Sequence, residues 1–146
     1  SILRDILVQI TRNAVVHGLE APDVRRGVGK PETGTISLSL KDNDGRIQIV
    51  IKDDGASFNF DAIRKIAESK RKVDTATASG WTNKDLIKFL FEPGFSTAES
   101  ADANAGRGMG LDIIRQRIKR IGGDLRISYG AGKFTEFEIL FPSGKI

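Results

Sequence analysis

A chain of 146 residues, 39% hydrophobic and 29% charged, is sized for one core of ordinary globular composition, which excludes intrinsic disorder. Without cysteine and with a single histidine, it offers no disulfide framework, no thiolate nucleophile and no metal site built from Cys or clustered His. The net charge of +4 raises nucleic acid as a partner, but one Trp and one Tyr give little stacking surface and no recognition module is present. Lys70, Arg71, Lys72, Arg115, Arg117, Lys119 and Arg120 read instead as solvated faces. No run approaches the ~18 apolar residues of a membrane span, so no membrane contact is expected of this domain, and the missing cysteines fit a cytoplasmic address.

In chain order, Ile2, Leu3, Ile6, Leu7, Ile10 and Ala14 recur at helical spacing and predict a helix over 2–17, stopped by Gly18. After a polar connection rich in Arg and Gly, Ile36, Leu38 and Leu40, the turn Asp42-Asn43-Asp44-Gly45, and Ile47, Ile49 and Ile51 predict a β-hairpin. Phe60, Ile63, Ile66 and Ala67 mark a helix over 60–70, a polar loop follows, and Leu86, Ile87, Phe89 and Leu90 mark another helix ended by Pro93-Gly94. Residues 93–107 read as a long loop, and loops of that length in a compact domain usually serve function. A helix over 108–121 and a second hairpin, Leu125–Tyr129 with Phe137–Phe141, complete the chain. Hairpins separated by helices predict an α+β fold, a two-layer α/β sandwich with a mixed, mostly antiparallel sheet covered on one face by helices. No internal repeat or linker divides it, so residues 1–146 read as a single domain.

Three groups of residues could carry chemistry. Gly106-Arg107-Gly108-Met109-Gly110 opens the last helix, where glycines admit an anion close to unpaired backbone N–H groups; its spacing fits neither the dinucleotide fingerprint nor the Walker loop. Gln9, Asn13 and His17 stand four residues apart at the edge of the first helix's apolar stripe. An inward-leaning Asn either caps a neighbouring loop or faces a polar pocket or metal, and His17 beside Gly18 is equally suited to bonding the last helical carbonyls. Asp53-Asp54-Gly55 ends a strand and by itself reads as a turn.

Taken together, RNAVVHGLE (12–20), DDGAS (53–57), FEPGFST (91–97), GRGMGLDII (106–114) and GKFTEF (132–137) stand in the order found in the ATP-binding domain of histidine kinases. The chain resembles that family over residues 3–142 and is most similar to its chemotaxis branch. The resemblance implies the Bergerat fold shared with Hsp90, gyrase and MutL, with ATP and Mg2+ as cofactors. It makes Asn13 the magnesium ligand, Asp53 the partner of the adenine amino group, and Gly55 and Thr135 further adenine contacts. Gly106, Gly108 and Gly110 fall to the phosphates, Phe91–Ala105 to a lid, and Arg12 and His17 to the phosphate surroundings. An amide oxygen suits magnesium, which takes hard oxygen ligands, and a carboxylate accepting from an exocyclic amine favours adenine over guanine. The implied reaction is transfer of the γ-phosphoryl to a histidine on a separate phosphoacceptor domain, with a response regulator downstream and a dimerisation domain elsewhere in a longer protein.

Three positions depart from the family pattern. Gln9 stands where a Glu or His usually acts on the attacking imidazole, and it cannot take up a proton. Ser57 replaces the second glycine of the Asp-x-Gly-x-Gly turn, and Phe134 replaces the glycine before Thr135, with the expected effect of narrowing the adenine pocket. These departures keep one alternative open, a nucleotide-binding pseudokinase or regulatory module of the same fold; a separate alternative is an anti-sigma-type partner-binding switch, against which FEPGFST argues.

Overall fold

A computed structural model describes residues 1–71, 74–92 and 110–145. They form two compact units, Ser1–Phe58 with Ile113–Ile146, and Asn59–Asp112.

The first unit opens with α1, Ile2–Asn13, where the Ser1 side chain accepts from the Arg4 N–H and Asp5 complements the positive helix end. Ile6 and Ile10 are buried on its apolar face. The helix does not run on to residue 17 in α form, because from Ala14 to Gly18 it widens into a π-helical turn closed by the Leu19 N–H on the Ala14 carbonyl at 2.8 Å. Such turns interrupt helices most often at functional sites. A short α2, Pro22–Gly27, follows within the polar connection, its Pro22 preset for the first helical turn.

Strands β1 (Ile36–Asn43), β2 (Arg46–Asp53), β3 (Asp124–Gly130) and β4 (Phe134–Pro142) form a sheet in the order β1-β2-β4-β3. The first hairpin closes through Asp44-Gly45, both at positive φ, the backbone that a two-residue turn between twisted strands requires. All three strand pairings described are antiparallel, as expected for most of the sheet. Alternation buries one face: Ile47, Ile49 and Ile51 of β2 lie opposite Phe141, Ile139 and Phe137 of β4. Ile6, Ile10 and Ala14 of the first helix, with Ile114 and Ile118 of α6 (Leu111–Arg120), complete this core. Each such side chain contributes roughly 1.5–3 kcal/mol when fully buried. Leu38 and Leu40 alternate as predicted, yet they remain 62% and 63% exposed because β1 is the sheet edge.

The second unit is helical: α3 (Phe60–Arg71), α4 (Thr75–Ser79) and α5 (Asn83–Leu90) enclose Ile63, Ala67, Ala78, Leu86, Phe89 and Leu90. The helix α4 lies where the sequence suggested only a polar loop; its signal is Asp74, whose carboxylate caps the Thr77 N–H at 2.7 Å. Thr82 and Asp85 form a capping box at the start of α5. The Arg64 guanidinium donates to the carbonyls of Ala78 and Trp81, tying α3 to the α4–α5 connection.

Candidate functional site

Strand register builds the floor of the site. Asp53, the last residue of β2, pairs with Thr135 of β4, and both face the buried side at 6% exposure. The Asp53 carboxylate accepts the Gly55 N–H through Oδ1 at 2.9 Å. Two other segments close on this turn: the Ala56 N–H donates to the Gly18 carbonyl at 2.9 Å, and the Gly132 N–H, from the β3–β4 turn, donates to the Ala56 carbonyl at 2.9 Å. The fit is tight enough to dictate glycine at position 55. A Cβ there would stand 2.1 Å from the Gly18 carbonyl oxygen and 2.9 Å from Asp53 Oδ1, so the requirement arises within the chain itself.

Asn13 sits at the last α-helical position of α1, 8% exposed, just before the π-helical turn that carries His17 and Gly18 to the Asp53 turn. Gln9, one turn earlier, donates from Nε2 to Asn13 Oδ1 at 3.4 Å, so two of the predicted residues touch directly. His17 is half-buried and Arg12 is exposed. Gly110 belongs to the second unit, at φ +47° just before α6, while Gly106, Gly108 and the greater part of the predicted lid, residues 93–105, lie outside the described residues.

Burial pushes the Asp53 carboxyl above its ordinary pKa of 3.8; the Gly55 N–H opposes this, the charges of Asp54 and Glu20 add to it, and Lys30 opposes it. Its neighbour Asp54 faces another environment, one that the sequence reading missed. Arg25, fully buried, donates to Asp54 Oδ2 at 2.9 Å, to Glu20 Oε1 at 3.1 Å and to the Pro31 carbonyl at 2.6 Å. Lys30 donates to Glu20 Oε2 at 2.7 Å and to the carbonyls of Asp54 and Gly55 at 2.8 and 3.1 Å. These cations hold the back of the turn whose front carries Asp53.

Phe134 does not narrow the Asp53–Thr135 face. Alternation along β4 sends it to the opposite face from Thr135, where it lies against Gly130 with the Lys52 ammonium 4.7 Å above its ring. Among the described residues no cluster of three or more His, Cys, Asp or Glu could hold a metal by itself. The Asn13 amide is suited to an ion that brings most of its own oxygen ligands, such as magnesium on phosphates and water.

An open antiparallel sheet carrying a buried Asp at a strand end, beside a helix with a buried Asn, is the frame of one ATPase class. The chain belongs to the histidine kinase-, DNA gyrase B- and HSP90-like ATPase family, whose model matches residues 2–145. It is 40% identical over 140 residues to the chemotaxis protein CheA of Cereibacter sphaeroides, covering 96% of this chain and 20% of that protein. To the gliding motility regulatory protein of Myxococcus xanthus it is 32% identical over 140 residues, covering 96% of this chain and 18% of that protein. The chain thus spans about a fifth of the length of these relatives. In fold it is similar to the catalytic domain of the histidine kinase ThkA in a nucleotide-free form, with a TM-score of 0.55 at 18% identity over 99% of this chain and 69% of that one. It is an ATP-binding domain of the histidine-kinase type, with CheA-like sequence. No helix among the described residues is long and apolar enough to cross a membrane.

Proposed function

We propose that this domain holds Mg-ATP with Asp53 and Thr135 on adenine and Asn13 on magnesium, and presents the γ-phosphoryl to a histidine on a separate domain of a CheA-like phosphorelay. One observation carries this reading. Among the described residues four polar side chains are buried, Asn13, Arg25, Asp53 and Thr135. Arg25 is consumed by its ion pairs. The other three, polar yet buried, are the residues to which the family motifs assign the nucleotide.

Each residue has a physical task. Asp53 accepts from the adenine amine; guanine presents a carbonyl there, which would leave carboxylate oxygens unpaired. Asn13 contributes a neutral oxygen from a rigid helix without adding negative charge near the phosphates. When bound, magnesium neutralises charge on the phosphate oxygens. We assign His17, next to the Gly18 whose carbonyl accepts from Ala56, to steadying the nucleotide, and glycines 106, 108 and 110 to the phosphates. Most of the catalysis then lies in positioning, with the imidazole of the acceptor domain as nucleophile. The wider reading includes a response regulator that receives the phosphoryl group, a dimerisation domain in a longer protein, and cytoplasmic location.

Calorimetry tests the binding step. ATP with magnesium should bind the chain, Asp53→Asn should weaken it by about 1.5–3 kcal/mol, and GTP should compete poorly. Equal competition by GTP would remove Asp53 from base recognition. A second reading, nucleotide binding without efficient transfer, is favoured by Gln9, which contacts Asn13 and has no basic atom. Phosphoryl transfer to an acceptor domain separates the two. Native transfer that Gln9→His does not accelerate excludes a limit set by the missing base, whereas slow native transfer raised roughly 10–10³-fold supports one.

A further inference from the structure

The outer side of α6 gathers positive charge. After Asp112 in its first turn the helix has no acid, and Arg115, Arg117, Lys119 and Arg120 all stand exposed. Arg12 aside, exposed arginines on α1, α2 and β3 have carboxylates beside them: Arg4 has Asp5, Arg26 has Asp23 and Glu32, and Arg126 has Glu138. Arg117, Lys119 and Arg120 have no carboxylate within ion-pair distance among the described residues. Cations in a last turn offset the negative helix end, but that end amounts to about half a charge, and Arg117 and Arg120, three residues apart on one side, repel each other.

Two further observations turn this charge into a surface. Ile113 is 49% exposed and stands four and seven residues before Arg117 and Arg120, so one line of the helix presents an apolar side chain and then two basic ones over two turns. The core stripe is elsewhere, on the buried Ile114 and Ile118. The same end of the sheet adds Arg46. A Cβ on Gly122, two residues past Arg120, would stand 3.6 Å from the Pro142 ring, and Pro142 is the strand partner of Arg46. Arg46 is likewise exposed, with no carboxylate partner among the described residues. Asp53 and Thr135 occupy the opposite end of β2 and β4, roughly 23 Å away at the rise of a strand.

We infer that this line is a docking surface for an acidic, amphipathic helix of a protein partner, whose apolar row covers Ile113 and whose carboxylates meet Arg117, Arg120 and Arg46. Charge complementarity chooses the occupant, since a guanidinium takes a carboxylate through two parallel hydrogen bonds. The partner's own helical spacing matches that of residues 113, 117 and 120. Covering Ile113 adds an apolar gain that a phosphate backbone does not supply. The inference is independent of the nucleotide reading, and the distance from Asp53 leaves the two sites free to be occupied together.

The probes are a labelled peptide with glutamates flanking a leucine row at helical spacing, a scrambled peptide of the same composition, and a mixed-sequence DNA duplex, each titrated onto the chain by fluorescence anisotropy at low salt. The patterned peptide should bind at least about threefold more tightly than the scrambled one, and its binding should weaken as salt rises. Arg117→Gln, Lys119→Gln and Arg120→Gln combined should weaken it about tenfold or more. Arg4→Gln, Lys41→Gln and Lys84→Gln combined remove the same charge from exposed positions on other elements and should change it less than about twofold. Ile113→Ser should weaken the patterned peptide about three- to tenfold and leave the scrambled one unchanged. In the native chain the amide signals of residues 113–120 and of Arg46 should shift as the patterned peptide is added, a readout that does not depend on any variant folding. No binding of the patterned peptide, equal binding of the two peptides, equal loss in the two triple variants, signals that shift only elsewhere, or displacement of the peptide by ATP overturns the inference. Tighter binding of the DNA that is indifferent to Ile113→Ser overturns it in favour of a nucleic acid surface.

Discussion

Asp53 and Asp54 are adjacent in sequence, yet they open onto regions built on opposite principles. Behind the turn, Asp54 is saturated: its Oδ1 takes the Thr35 N–H at 2.9 Å and its Oδ2 takes Arg25. Burial acts to raise its pKa, but the Thr35 hydrogen bond, the Arg25 hydrogen bond and the charges of Arg25 and Lys30 outweigh it and hold the carboxyl below 3.8. In front, Asp53 meets the Gly55 N–H, its strand partner Thr135 and Gly18 of the π-helical turn, with its pKa raised by burial. Arg25 and Lys30 are gathered on the side of the carboxylate that braces, and no cation pairs directly with the one we assign to the ligand. On the proposed reading, an arginine on Asp53 would occupy the oxygens needed for an amine, whereas one on Asp54 stiffens the peptide next to Asp53.

Removing the brace should have the largest effect. Arg25→Ala takes one partner from Glu20 and the cation from a partly exposed Asp54, and it empties the space of a fully buried side chain, so stability should fall by about 2–4 kcal/mol in chemical denaturation. Arg25→Lys keeps the charge but not the forked donor set, and should recover only part of this. A loss below about 1 kcal/mol for the alanine variant would mean that the brace is ornamental. Next comes Gly55→Ala, which drives a Cβ into the Gly18 carbonyl and should cost about 1–3 kcal/mol while weakening ATP, because the carboxylate of Asp53 is displaced with it. Gly27→Ala, where nothing lies within 4 Å and φ is ordinary, is the matched control and should stay within about 0.5 kcal/mol of the native chain.

The front of the turn was far more legible in the sequence than the back. Alternation in β2 and β4 announced both strands, and the order of short motifs singled out Asn13, Asp53 and Thr135, which the fold then buries. Nothing in the local pattern announces that Arg25 meets Asp54, because the pair is separated by 29 residues and an Arg among neighbouring polar residues reads as solvated. The π-helical turn was equally hidden, since Gly18 looks like an ordinary helix stop until the close packing of residues 18 and 55 is known. Phe134 misled for a related reason: its place beside Thr135 in sequence puts it on the other side of the sheet in space.

Acidification should separate the two aspartates. Asp53 has a raised pKa, so protonation begins above pH 3.8, and ATP affinity should start to fall there while the ligand-free fold gains slightly from losing a buried charge. Asp54 behaves oppositely, and so does Glu20, whose burial is outweighed by Lys30, its own backbone and Arg25, leaving it below 4.5. Their contribution to stability is present above 3.8 and 4.5 and is lost as pH falls through the lowered values. Affinity measured by calorimetry should thus decline at a higher pH than stability measured by denaturation. Coincident declines would show that the two carboxylates share one environment after all.

The smallest effects belong to the front of the site, at the contact between Gln9 and Asn13, and they sharpen the comparison most. Gln9→Ala removes a long i,i+4 hydrogen bond of 3.4 Å and should cost only about 0.2–0.5 kcal/mol of stability. Substitution by glutamate asks a finer question. A carboxylate only accepts, so it would face the Asn13 oxygen unfavourably and turn the amide to present its NH2 group instead. The oxygen assigned to magnesium would then point away. Gln9→Glu should therefore weaken ATP binding in the presence of magnesium by about 0.5–1.5 kcal/mol, the range of one hydrogen bond, and leave magnesium-free binding unchanged. Gln9→His retains an N–H donor and should behave like the native chain in both titrations. If glutamate binds Mg-ATP as tightly as glutamine does, the Asn13 oxygen is not held by this contact.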